Sequence, residues 1–185
     1  DVPAIPSSDE QNISLDLSRH QFIYTFKMRG PYGRSVWLST SPDFAAWSDP
    51  RLVFHADDVD QLLGVEHIRA RLGDTSLLPR HANDPAVYNV DVYNMGVFAY
   101  EGLYLGTPAM FHAVAPTPEG RNRWGFHLVQ LVSSRDLTSW QRVCRRETFI
   151  GPSPVNSGAY DLTQIIGPSV PLMRDDELWF YYSGL

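Results

Sequence analysis

The sequence has 185 residues and a formal net charge of −6, and 43% of its residues are hydrophobic and 12% aromatic. That length supports one domain with a core of its own and is short for two. The acidic balance, with 15 lysines and arginines, argues against a nucleic-acid partner, which requires a clustered basic face. No apolar run reaches the roughly 18 residues that a membrane span requires.

Four short strand patterns follow one another between residues 9 and 56. Residues 12–17 alternate apolar and polar side chains, which is the two-residue period of a half-buried strand. Residues 22–28, 35–40 and 51–55 are rich in β-branched and aromatic residues, and turn-forming residues separate them. Four such strands in succession predict an antiparallel meander.

Residues 57–86 interrupt this pattern. Apolar residues recur there at helical intervals among charged ones, so we expect an insertion made of a short helix and a loop. A second four-stranded meander is predicted over residues 87–150. A third begins near residue 158, and it is incomplete because residues 158–185 leave room for only part of a sheet.

Each predicted meander starts with the same five-residue pattern, which is Asp, two variable residues, an amide residue, and Ile or Met. The copies are residues 9–13, 91–95 and 161–165. A second pattern, Ser-x-Asp-(Phe/Leu)-x-x-Trp, follows the first two copies at residues 41–47 and 134–140. Chance recurrence is the alternative, but the constant order of these elements favours a structural repeat.

Repeated four-stranded meanders predict an all-β fold, a β-propeller in which the first strand of each blade lines a central channel. A polar residue at the same place in each innermost strand would converge on the axis, so Asp9, Asp91 and Asp161 would face one pocket. Carboxylates crowded in this way raise one another's pKa, so that one stays protonated while another is ionised. Glycoside hydrolysis requires such a pair.

These stretches resemble the five-bladed β-propeller proteins related to glycoside hydrolase families 32, 43 and 68, and above all their uncharacterised bacterial branch. The stretches that carry the resemblance are residues 9–13, 24–29, 41–47, 91–106, 133–140 and 177–184. The resemblance implies that the chain holds about two and a half of five blades. A missing half of the protein, or a second chain as an obligate partner, would then complete the ring.

The resemblance also implies roles for the three acidic residues. Asp9 would be the nucleophile or base, Asp91 the transition-state stabiliser, and Asp161 stands where these enzymes place their acid, a glutamate. The ligand would be a carbohydrate bound in the central funnel. No cofactor is implied, although some family 43 relatives carry a structural Ca²⁺ on the axis, and that option stays open.

Six further polar residues are candidates for binding sugar hydroxyls. They are Asn12, Arg29, Tyr93, Asn94, Glu101 and Gln164. Each could instead satisfy a neighbouring backbone group, as an Asp at a strand start often does. Asp43 and Asp136 are expected to be turn residues, with Trp47 and Trp140 packed between sheets. No two of the six histidines stand at metal-ligand spacing, so no metal site is predicted.

The sequence therefore predicts a single, partial propeller domain over residues 1–185 that acts as a glycoside hydrolase or transglycosidase. The alternatives are a non-catalytic propeller that binds a sugar or a protein partner, and a purely structural module. Cys144 is the only cysteine of the sequence, so an internal disulfide and a cysteine-based metal site are both excluded. The chain begins at Asp1, so we expect a soluble protein that is cytoplasmic, or secreted after loss of a signal peptide.

Overall fold

A computed structural model describes residue 5 and residues 9–73, 90–116, 123–167 and 169–185. Most of this part of the chain is antiparallel β-sheet, as the sequence predicts. The part of the predicted insertion after residue 73, and the start of the second predicted meander before residue 90, lie outside the described residues.

Sheet one consists of four antiparallel strands in chain order. They are β1 (Gln11–Asp16), β2 (Gln21–Gly30), β3 (Gly33–Ser41) and β4 (Arg51–Phe54). Because each strand pairs with the next, the chain advances across the sheet by short hairpin connections. One face of the sheet, with Ile23, Val36 and Leu38, is buried against the second sheet.

The buried face of β1 is the polar one. Its side chains alternate as expected, but Asn12, Ser14 and Asp16 are buried, whereas Ile13 and Leu15 are 39% and 46% exposed. A two-residue period shows that the faces differ and does not show which one the fold covers. On this inward face the Tyr104 hydroxyl donates a hydrogen bond to Asp16 Oδ2 at 2.6 Å. Ser14 Oγ, by contrast, has no hydrogen-bond partner among the described residues.

One α-helix, α1 (Asp58–Leu72), follows sheet one. It begins with a capping box, in which Asp57 accepts a hydrogen bond from the Asp60 backbone N–H and Asp60 accepts one from the Asp57 backbone N–H. It ends at Gly73, whose φ of 63° is left-handed and whose N–H donates to the Arg69 carbonyl. Within the described ranges, no helix has the length and hydropathy needed to span a bilayer.

Sheet two is centred on two long strands, β5 (Val90–Tyr100) and β6 (Leu103–Pro116). The edge of β6 that faces away from β5 pairs with two strands. Its first half pairs with β8 (Val132–Ser134) and its second half with β7 (Arg123–Val129), and β8 pairs in turn with β9 (Trp140–Arg142). A short 3-10 turn, Cys144–Arg146, comes after β9. Sheet two is therefore four strands wide, as sheet one is, with β7 and β8 sharing the third position.

The remaining strands form two separate ladders. One joins β10 (Ile165–Ile166) to β13 (Ser183–Gly184), and the other joins β11 (Leu172–Arg174) to β12 (Glu177–Trp179). Sheet two packs on both faces, with Val92, Met95 and Met110 against sheet one and with Ala109 and Val129 against Ile165 of β10. The described sheets do not close into a ring, so the propeller stays a prediction.

The two Ser-x-Asp turns have the same geometry. Ser41 Oγ accepts the Phe44 N–H and Asp43 Oδ1 accepts two further N–H groups, while Trp47 Nε1 donates to the Phe44 carbonyl. Ser134, Asp136, Leu137 and Trp140 repeat each of these contacts. Phe44 and Leu137 are both left-handed, with φ of 66° and 67°. Asp43 and Asp136 are therefore turn residues, as the sequence predicts.

Candidate functional site

A β-bulge organises the start of β5. Asp91 pairs with Phe111 of β6, which pairs with His127 of β7, and directly opposed residues share a face of a sheet. Residues three apart, such as Asp91 and Asn94, normally lie on opposite faces. Here the register passes over Tyr93, since Val92 pairs with Met110 and Asn94 with Ala109. The bulge therefore brings Asp91 and Asn94 to one face and adds Tyr93 there.

Two cations from the β2–β3 hairpin reach the same place. Lys27 Nζ lies 3.7 Å from the centre of the Tyr93 ring and 2.9 Å from Asp9 Oδ1. The guanidinium carbon of Arg34 lies 5.2 Å from the Tyr93 ring centre. We call this group the Tyr93 cluster. It consists of Asp9, Lys27, Arg34, Asp91, Tyr93 and His127.

Asp91 is the buried carboxylate of the cluster, with 15% of its side chain exposed. Its Oδ2 accepts a long hydrogen bond of 3.4 Å from the Arg34 N–H, and Oδ1 lies 3.5 Å from Arg34 Nη1. Oδ1 has no hydrogen-bond partner among the residues that the structure describes. Burial raises the pKa of Asp91, and the nearby Arg34 charge offsets only part of that rise. Asp91 therefore keeps its proton to a higher pH than an exposed Asp does.

Asp9 stands in the opposite situation. Its side chain is 70% exposed, and its partner in the cluster is the Lys27 ammonium. Its neighbour Glu10 is more enclosed, and burial raises the pKa of Glu10 although Lys27 opposes the rise. The cluster thus combines an open, ion-paired carboxylate with a buried one, which is the kind of difference that separates base and acid roles.

His127 is the third residue of the cross-strand set Asp91–Phe111–His127 on sheet two. It is not among the site residues that the sequence predicts. Its ring is fully buried, 4.9 Å from the Tyr93 ring and 5.4 Å from the Phe111 ring, measured between centres. Nδ1 contacts the backbone of Ile165, whereas Nε2 has no hydrogen-bond partner within the described ranges. Burial lowers the pKa of His127 to about 4, so the ring is neutral at pH 7.

Asp161 lies in different surroundings. Its Oδ2 accepts a hydrogen bond of 2.9 Å from the Tyr182 hydroxyl, and its carbonyl accepts the Ser153 N–H. Hydrogen bonds from Ser153 and Tyr182 lower the pKa of Asp161, which favours its ionised form. Tyr182 and Tyr93 pack against the same small apolar cluster around Ile165. Asp161 is thus separated from the Tyr93 cluster by this apolar cluster, against which Tyr182 and Tyr93 both pack.

Besides Tyr93, two of the residues predicted to bind a sugar lie beside the cluster. Asn94 is 3% exposed, and its Oδ1 has no hydrogen-bond partner in the described part of the chain. Arg29 is exposed at the end of β2, directly opposite Arg34 of β3. Tyr93, Asn94 and Arg29 are therefore the three predicted sugar-binding residues that the fold brings near Asp91.

The other three predicted sugar-binding residues lie elsewhere or form hydrogen bonds within the chain. Asn12 Oδ1 accepts a hydrogen bond of 3.0 Å from the Ser169 hydroxyl. Glu101, with a φ of 47°, begins the turn between β5 and β6, at the end of β5 far from Asp91. The Gln164 carbonyl accepts the Leu185 N–H. Nowhere in the described ranges do three or more His, Cys, Asp or Glu side chains form a group that could hold a metal ion.

No protein-family model and no curated protein matches the chain. Its fold is similar to the crystal structure of an N-acetylgalactosamine deacetylase from F. plautii in complex with blood group B trisaccharide, with a TM-score of 0.56 and 18% sequence identity. That match covers 94% of this chain and 40% of the deacetylase chain, so the chain spans well under half of that protein. A glycosyl hydrolase from Bacteroides ovatus matches with a TM-score of 0.38 and 14% identity, over 71% of this chain and 30% of the other.

Proposed function

We propose that this chain belongs to a carbohydrate-active protein and that the sugar binds at the Tyr93 cluster. The observation that carries the proposal is a set of three buried polar atoms without hydrogen-bond partners in the described residues. They are Asp91 Oδ1, Asn94 Oδ1 and His127 Nε2, and all three belong to one face of sheet two. Buried polar groups are almost always hydrogen-bonded in folded proteins, so an unsatisfied set suggests a polar ligand.

A sugar has the chemistry that these residues require. Its hydroxyls donate and accept hydrogen bonds, which suits the two oxygens and the ring nitrogen. Its apolar face can pack on an aromatic side chain, and Tyr93 stands at the centre of the cluster. The similar fold of an enzyme whose crystal structure contains a trisaccharide supports the same class of ligand.

Hydrolysis of a glycosidic bond is the reaction that we propose for this site. A general acid must protonate the leaving oxygen while a second carboxylate acts in its ionised form. Asp91, whose pKa burial raises, suits the acid, and the exposed Asp9 suits the nucleophile or base. Asp161, whose pKa is lowered by hydrogen bonds, is less suited to the acid position that the resemblance implies for it.

The test compares Asp91→Asn with Asp175→Asn, an exposed Asp in the turn between β11 and β12. Both proteins and the wild type are assayed for release of a chromophore from aryl glycosides, and for sugar binding by saturation-transfer NMR. We expect Asp91→Asn to lower turnover about 10²- to 10⁴-fold and to keep binding, and Asp175→Asn to change neither.

Other outcomes separate the alternatives. Sugar binding without turnover in the wild type would support a non-catalytic carbohydrate-binding module. Release of acetate from an N-acetylated sugar, with aryl glycosides untouched, would replace glycoside hydrolysis by another carbohydrate reaction. Failure to bind any of the neutral or acidic glycans tested would contradict the proposal as a whole.

A further inference from the structure

Two largely enclosed cations share the Tyr93 ring. The side chains of Lys27 and Arg34 are only 10% and 13% exposed. The Arg34 guanidinium also lies 5.2 Å from the Phe111 ring centre, so it stands over two aromatic faces. Contacts of this kind favour a cation and orient its plane, but they leave the edge of a guanidinium, with its N–H donors, available for an acceptor.

The two cations differ in how well they are paired. Lys27 lies 2.9 Å from Asp9, which is a close ion pair. Arg34 lies 3.5 Å from Asp91, and its guanidinium donates no hydrogen bond within the described part of the chain. Buried charges are normally paired closely and hydrogen-bonded, because desolvation is otherwise uncompensated. Arg34 therefore has the capacity for a further anion.

Arg29 adds to this positive charge. It stands directly opposite Arg34 in the β2–β3 pairing, and like charges in opposed positions destabilise a sheet. Burial also raises the pKa of Asp91, which weakens that residue as a counter-ion. The net charge of the chain is −6, but salt screens charges beyond about 8–10 Å, so the cations nearby determine what this site attracts.

We propose that the sugar bound at the Tyr93 cluster carries a carboxylate, which Arg34 binds through the edge of its guanidinium while Arg29 attracts it from the rim. The planar, two-pronged guanidinium matches a carboxylate better than any other side chain does. The class of substrate is therefore an acidic glycan, such as one containing a uronic or sialic acid. This inference rests on the proposed function.

The test measures dissociation constants of the wild type for matched pairs of glycans by calorimetry. Trigalacturonate is compared with galactotriose, 3′-sialyllactose with lactose, and a sulfated lactose serves as a non-carboxylate anion. We expect a carboxylate member of a pair to bind at least about 10-fold more tightly than its neutral partner, and the preference to weaken as salt rises.

Variants then identify the residues. Arg34→Gln should weaken binding of the acidic glycan about 10- to 100-fold and binding of the neutral partner by a much smaller factor, because the charge-assisted hydrogen bond to the carboxylate is lost. Arg34→Lys keeps the charge but not the paired donors, so it should recover only part of the affinity. Arg29→Gln should have a smaller effect that salt removes, and Arg51→Gln, at an exposed position of β4, should have none.

Three results would overturn the inference. Equal or tighter binding of the neutral partners would contradict it and leave the proposed function standing. Tighter binding of the sulfated lactose than of both carboxylates would contradict the choice of carboxylate. Absence of binding to every glycan would remove the inference together with the proposed function. If Arg34→Gln does not fold, the wild-type preference and Arg29→Gln still decide between these results.

Discussion

Among the residues that the structure describes, two clusters of charged side chains differ in how closely the enclosed carboxylate of each is paired with arginine. One is the Tyr93 cluster. The other, which we call the Arg142 cluster, joins the start of α1 to the end of sheet two and consists of Asp57, Asp60, Arg142 and Arg146. Asp60 Oδ1 lies 2.8 Å from Arg146 and its Oδ2 contacts Arg142, whereas Asp91 lies 3.5 Å from Arg34.

The Arg142 cluster also uses many of its remaining donors. Arg142 donates to the His55 carbonyl at 3.0 Å and to Gln130 Oε1 at 2.9 Å, and Arg146 donates to both oxygens of Asp57. A buried ion pair holds a fold only when such additional hydrogen bonds offset the loss of water. We infer that the Arg142 cluster stabilises the protein. In the Tyr93 cluster, where Lys27 and Asp9 form a close pair, only the longer Arg34–Asp91 pair is the part that our proposal assigns to a ligand.

The largest expected effect is at the Arg142 cluster. Asp60→Ala leaves two buried arginines without their shared carboxylate and removes half of the capping box, so it should lower the free energy of unfolding by about 3–5 kcal/mol. Urea denaturation measures this loss. Asp58→Ala, an exposed Asp in the first turn of α1, is the control and should cost well under half as much.

A third buried network should give an intermediate effect. The Tyr104 hydroxyl donates to Asp16 Oδ2 at 2.6 Å and accepts from Arg19 at 2.8 Å. Tyr104→Phe removes both hydrogen bonds and should destabilise the protein by about 1–3 kcal/mol, again measured in urea. Tyr100→Phe, nearby on β5, serves as the control. Equal stability of the two variants would show that close bonding alone does not identify a structural network.

Asp91→Asn should act in the opposite direction. It replaces a buried, poorly paired carboxylate by a neutral isostere, so we expect the free energy of unfolding to rise by about 1 kcal/mol at pH 7. Together with the loss of turnover predicted above, this would separate function from stability at one residue. A loss as large as that of Asp60→Ala would contradict the distinction between the clusters.

The stability difference between the wild type and Asp91→Asn should depend on pH. The pKa of an unfolded Asp is about 3.9, and burial raises the pKa of Asp91 in the folded protein. Below the unfolded pKa both states hold the proton and Asp91 costs nothing. As pH rises through the higher folded pKa, the buried carboxyl must ionise, and the wild type loses stability relative to Asp91→Asn. Unfolding curves between pH 4 and 8 would show this, and a constant difference would refute it.

The smallest effect is expected at an exposed carboxylate with many hydrogen bonds. Backbone N–H groups of Ser139 and Thr138 lower the pKa of Asp136. Its stabilising contribution is therefore present above the unfolded pKa and is lost as pH falls through the lower folded value. Asp136→Asn should lower the melting temperature slightly at pH 7 and not in strong acid. Asp43→Asn tests the equivalent turn and should behave alike.

Periodicity and turn chemistry predicted the antiparallel strands and the two Ser-x-Asp turns, because both depend on residues close together in the chain. The buried face of β1 did not follow from its alternation, since Asp16 is satisfied by Tyr104 from another sheet. Nor did Arg34 or His127 stand out as members of a site. Their positions depend on strand register and on a bulge, and neither is determined by the residues of one strand alone.

The bulge at Tyr93 leaves the pairing of β5 with β6 intact on both sides. Val92 and Asn94 pair with adjacent residues of β6, so the ladder would be continuous if Tyr93 were absent. Deleting Tyr93 should leave Asp91 opposite Phe111 and Asn94 opposite Ala109, and should remove only the ring on which the two cations rest. Tyr93 is thus the one residue of this stretch that the β5–β6 ladder does not pair, and the platform for the cations is carried by the bulge and not by the regular strand.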